Sequence, residues 1–98
     1  MKGYWILILF HFVILDSQSQ VIKSINVIGN KTTKEKIILR ELSFSVGDQV
    51  LEEDTLYHKT KSENNLFNTS LFNFTEINFT DSSDHWVVVI KLQERWYI

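Results

Sequence analysis

The chain has 98 residues, with 10 basic and 12 acidic side chains, a net charge of −2, and neither cysteine nor proline. That length allows a single domain. The near-neutral charge argues against nucleic acid, which needs a basic face, and against a purely electrostatic membrane binder. A domain without cysteine must hold together by packing rather than by disulfides, and a chain without proline keeps a backbone donor at every residue.

Met1 and Lys2 give a short positive start, Tyr4 to Leu15 is apolar apart from His11, and small Ser17 and Ser19 precede a cut before Gln20. This is the layout of a secretory signal peptide over residues 1–19. The apolar run is about a dozen residues, short of the ~20 that a membrane-spanning helix needs. Removing it takes away Lys2 and Asp16 together, so the net charge is unchanged. The remaining 20–98 lie in the size range where one core is feasible but marginal.

"VIKSINVIGN" (21–30) alternates and is β-branched, so it reads as a first strand closed by Gly29-Asn30. Thr32 and Glu35 have the spacing of a capping box, which predicts a helix from about Thr33 with Ile37, Ile38, Leu39 and Leu42 on its buried face. "SFSVGDQV" (43–50) reads as a loop turning at Gly47-Asp48, with Phe44 and Val46 pointing inward. A second helix is expected over 51–67: Glu52, Glu53 and Asp54 open it and Lys59 and Lys61 follow, an order that suits the helix dipole. Leu56, Tyr57, Thr60, Asn64 and Phe67 fall roughly on one stripe that is only partly apolar, so the helix is expected to cover one face with it and to be exposed elsewhere.

After the polar turn Asn68-Thr69-Ser70 the apolar period becomes two. Phe74, Glu76 and Asn78 fall on one side of a strand, and Thr75, Ile77 and Phe79 on the other. "DSSD" (81–84) reads as a hairpin loop, and "HWVVVIKLQERWYI" (85–98) holds the longest β-branched run, as a central strand would. The order strand, helix, helix, strand, strand predicts an α+β fold, β-α-α-β-β: a three-stranded mixed sheet of order 1-3-2 with two helices packed on one face.

Several pieces in order resemble the POTRA (polypeptide-transport-associated) module of outer-membrane barrel-assembly proteins and their secretion relatives. They are "INVIGNKTTKEKIILREL", "FSVGD", "NNLFNTSLFNFTEINF" and "VVVIKLQER", together spanning about residues 21–95. The Gly29-Asn30 end of the first strand, the Gly47-Asp48 turn and the repeated Leu-Phe of "LFNTSLF" carry the likeness; Ser70 departs from it, standing where the family usually has glycine. The "SQSQ" region directly before the module also resembles Bacteroidota exported proteins.

The resemblance implies a binding module rather than an enzyme, without cofactor. It would be exported to the periplasmic face of the outer membrane and would engage unfolded outer-membrane polypeptides or accessory assembly proteins. The expected route is strand addition, in which a client pairs with an exposed sheet edge through backbone hydrogen bonds. On that reading the edge is Phe74, Thr75, Glu76, Ile77, Asn78 and Phe79, with the second helix lining the adjacent groove and Glu76 as a charged guard of the kind edge strands carry. Family members usually continue into further modules or a barrel, so residues 20–98 are expected to be a single POTRA domain and an N-terminal fragment of a longer barrel protein, touching membrane only through that missing barrel. The alternative is a POTRA-type scaffold or spacer without client binding, as in cell-division proteins. A small secreted enzyme has no support: the sequence shows no nucleophile–base pair, phosphate loop or metal spacing, and His58 and His85 stand apart from any ligand set. Trp96 and Tyr97, beyond the alternating run, could meet a following domain.

Overall fold

A computed structural model describes residues 19–95. The expected signal peptide, apart from Ser19, and the Trp96-Tyr97 pair lie outside the described residues. The elements in chain order are β1 (Ser19–Ile28), α1 (Glu35–Arg40), β2 (Gln49–Leu51), a 3₁₀ turn (Glu52–Asp54), α2 (Thr55–Asn68), β3 (Phe72–Ser82) and β4 (His85–Glu94). Among the described residues no helix is long and apolar enough to cross a membrane.

β4 lies inside the sheet, as its β-branched run requires. It pairs in parallel with β1, from Val21 opposite His85 to Ile28 opposite Lys91, and antiparallel with β3, from Phe72 opposite Glu94 to Ser82 opposite His85. With the short β2 left out, the elements follow β-α-α-β-β and the three long strands lie in the order 1-3-2. The sheet, however, has four strands, in the order β2-β1-β4-β3. The fourth comes from the segment expected to be loop. Gly47 takes φ +96°, a conformation that costs glycine little. Its N–H donates to Ile22 O (2.8 Å), and Ile22 N–H donates to Asp48 O (2.9 Å). That turn sets Gln49–Leu51 antiparallel to Ser19–Val21. Three residues are too few for alternation to signal a strand.

Residues paired across strands share a face, so the register sorts the side chains. One face gathers Ile22, Ile77, Trp86, Val88, Ile90 and Leu92, and with Ile38 of α1, Leu66 of α2, Phe44, Val50 and Phe72 these form the core. Phe79 links the aromatic end, tilted against Phe44 at 5.1 Å and edge-on to Trp86 at 5.9 Å. Trp86 also donates its indole N–H to Val50 O (3.0 Å), tying the central strand to β2.

Three local expectations are corrected. The capping box does not form: Lys34 is the N-cap of α1, without a side-chain cap, because the N–H groups of Thr32 and Thr33 are taken by the Glu94 carboxylate. Phe44 is buried but Val46 is exposed, since the chain reverses at Gly47. The stripe Leu56, Tyr57, Thr60, Asn64 and Phe67 faces outward, with Leu56 67% and Tyr57 62% exposed. α2 instead buries Ser62 and Leu66. Its polar inner face is satisfied there: Ser62 Oγ accepts from Ser43 N–H (2.9 Å), and Asn65 donates to Glu41 O (3.0 Å). Specific polar partners outweigh the simple apolar stripe.

Candidate functional site

The expected binding strand lies at the sheet's edge. β3 pairs on one side with β4 and stands last in the sheet. It extends beyond the expected 74–79 to Phe72–Ser82, with an irregularity between Phe72 and Phe74 that leaves Asn73 out of register. Phe74, Glu76 and Asn78 lie opposite Gln93, Lys91 and Val89, on the face away from the core. Thr75, Ile77 and Phe79 lie opposite Leu92, Ile90 and Val88, on the core face. The two sets thus divide as the alternation indicates, and all six residues share one strand.

The outer side of β3 faces α2, and the contact is polar. Ile77 N–H donates to Glu63 Oε2 (2.7 Å), and Lys59 Nζ donates to Ile77 O (2.7 Å). Lys59 and Glu63 are themselves paired at 2.7 Å, four residues apart on α2. Thr75 Oγ1 adds a bond to Glu63 O (3.2 Å). Toward the Phe79 end the groove opens into a cleft of about 200 Å³ lined by Thr55, Leu56, Lys59, Asn78 and Phe79. Glu76, expected as the guard, sits on the opposite face in register with Lys91; the groups at the edge are Lys59 and Glu63. Their i, i+4 spacing of opposite charges was visible in the sequence, but their reach to β3 was not.

A second carboxylate is built in at the far end of β4. Glu94 is 7% exposed. Its oxygens accept from Thr33 N–H (2.7 Å) and Thr32 N–H (3.0 and 3.2 Å). The Thr33 N–H is the main reason its carboxyl lies below the ordinary glutamate range; burial pulls the other way, and the Thr33 side chain and the Thr32 and Lys31 backbones add to the lowering. The group is structural: it holds the loop after β1 against the end of β4. His58 and His85 are likewise engaged, His58 Nδ1 with Ser43 Oγ (2.8 Å) and His85 Nδ1 with Ser83 O (3.2 Å). Among the described residues no group of three or more histidine, aspartate or glutamate side chains is placed to hold a metal ion.

Comparison with known proteins agrees with this geometry. The POTRA family model, described as "Surface antigen variable number repeat", matches residues 20–95. Among solved structures, the N-terminal domain of Omp85 from Thermosynechococcus elongatus superposes with a TM-score of 0.65 at 16% identity, covering 81% of this chain and 32% of that one. The POTRA1-2 segment of Omp85 from Anabaena gives 0.63 at 12% identity, covering 82% and 50%. BamA POTRA3-5 of Haemophilus influenzae gives 0.62 at 13% identity, covering 82% and 36%. The chain thus spans a third to a half of the length of these structures. No curated protein matches the sequence. A strand, two helices and a β-hairpin arranged around a central parallel pair, matched by the family model over residues 20–95, identify the chain as a member of the POTRA family, whose modules are non-enzymatic scaffolds.

Proposed function

We propose that the chain is a periplasmic POTRA module serving outer-membrane protein assembly or polypeptide translocation, and that it binds unfolded client segments or accessory proteins by strand addition at β3. The observation that carries this reading is the position of β3 at the end of the sheet, with Phe74–Phe79 in regular register and one backbone side turned away from β4. Strand addition uses main-chain hydrogen bonds, so it tolerates many client sequences, as a general assembly port requires. Residues 1–19 act as the signal peptide that exports the module. It works at the periplasmic face of the outer membrane, alongside further modules or a barrel that carries the membrane contact.

The test is an NMR titration of the labelled protein with peptides cut from outer-membrane barrel strands, with a scrambled control. Shifts confined to Phe74–Thr80 and the facing side of α2, weak and similar across strand peptides, are expected. Absence of shifts at millimolar peptide would overturn client binding. The second reading, a docking or spacer scaffold, would then stand. What favours it is the exposed Leu56 and Tyr57 of α2, which border an open cleft of about 530 Å³ with Glu53, Thr60, Lys61 and Asn64.

A further inference from the structure

We propose that Lys59 and Glu63 form a guard that occupies the place of an added strand on the free edge of β3, so that a client must displace it to pair through Ile77. This rests on the strand-addition reading above. An antiparallel partner presents a carbonyl to an edge N–H and an N–H to the edge carbonyl of the same residue. Ile77 receives this pair of contacts from side chains: Glu63 Oε2 accepts from its N–H and Lys59 Nζ donates to its carbonyl, each at 2.7 Å. The Lys59–Glu63 contact closes the triangle at 2.7 Å. Both side chains are partly shielded, 34% and 22% exposed, and Thr75 Oγ1 fixes the backbone of Glu63 from the neighbouring outward position.

The guard is local. Backbone groups of an edge strand point outward at every second residue, so Phe79 shares the orientation of Ile77. Beside it lies the cleft bounded by Thr55, Leu56 and Lys59. An entering strand makes its first contacts at the Phe79 end and proceeds toward Ile77 by exchanging charge-assisted hydrogen bonds for neutral backbone ones. That exchange is unfavourable, because bonds with one ionised partner are roughly twice as strong as neutral ones. The guard lowers affinity for extended segments in general and keeps two copies of the module from pairing edge to edge.

The experiment compares the protein expressed from the full sequence with its Lys59→Ala/Glu63→Ala variant, in hydrogen exchange at the Ile77 amide and in affinity for one barrel-strand peptide. Faster Ile77 exchange and binding at least about tenfold tighter in the variant are expected, the change that about one lost charge-assisted bond corresponds to. The single variant Glu63→Gln, which keeps an acceptor for the Ile77 N–H without the charge, gives an intermediate affinity and covers the case in which the double variant does not fold. Equal affinity in folded wild type and variants, with shifts still on β3, would overturn the guard and leave strand addition intact. Absence of binding by every form would overturn both.

Discussion

At the scale of single residues, two glycines with positive φ make different demands. Gly29 adopts φ +101° and lies so close to β4 that a Cβ would meet the Leu92 carbonyl oxygen; Gly47 adopts φ +96° with open space around it. Gly47→Ala should therefore cost about 1 kcal/mol in backbone strain alone. Gly29→Ala adds displacement of the central strand and should cost more than about 2 kcal/mol. Paired urea denaturation curves would check the ranking, and equal losses would refute it. Glu94 makes a pH-dependent contribution. Its carboxyl is lowered in the folded state, chiefly by the Thr33 N–H. The stability it provides is present above the unfolded value, about pH 4.3 for glutamate, and is lost as pH falls through the lower folded value. Thermal melts from pH 7 to pH 3 should show a steeper acid loss in the wild type than in Glu94→Gln, and the Thr32 and Thr33 amide signals should move in the same window.

At the scale of elements, the β3–β4 hairpin closes through Ser83 and Asp84, both with positive φ (51° and 69°), between the paired residues Ser82 and His85. Two consecutive positive φ values are those of a type I′ turn, in which Asn-Gly is preferred. Replacing Ser83-Asp84 by Asn-Gly should raise stability by about 0.5–1 kcal/mol, measurable as a higher urea midpoint with unchanged slope. The hairpin, the first strand and the central place of β4 were legible in the sequence because long β-branched or alternating runs report burial directly. β2 was not, since its three residues owe their pairing to the turn at Gly47. The buried side of α2 is hidden in the sequence for a related reason. The sequence displays Leu56, Tyr57 and Phe67, whereas the fold buries Ser62 and half-buries Lys59 and Glu63, whose partners outside α2 lie 12 to 19 residues away along the chain. Such long-range polar contacts leave no local period. The same blindness hid the guard: the edge was visible as an alternating strand, and what shields it was not. Ser70, where the family's usual glycine is absent, adopts φ +65°, so the left-handed turn the family resemblance implies is kept by a serine.

At the scale of the whole molecule, one small core carries the fold, in a chain without a disulfide. Phe72 is among its largest fully buried side chains, 1% exposed at the base of β3. Phe72→Ala should cost about 3–5 kcal/mol, a large part of the 5–15 kcal/mol typical of a domain. The variant should be largely unfolded at 37 °C by circular dichroism, and a cooperative melt near the wild-type midpoint would contradict this.

The parallel pairing of the first strand with the last sets a direction in time. Val21 meets His85, and Glu94 reaches back to Thr32 and Thr33. A ribosome releases the amino end first, so β1 emerges long before the strand that must lie beside it. Closing so long a loop carries an entropic cost that grows only slowly with length, but it cannot be met until β4 is out. The module therefore lacks its central strand until β4 has been made, and its sheet closes only then.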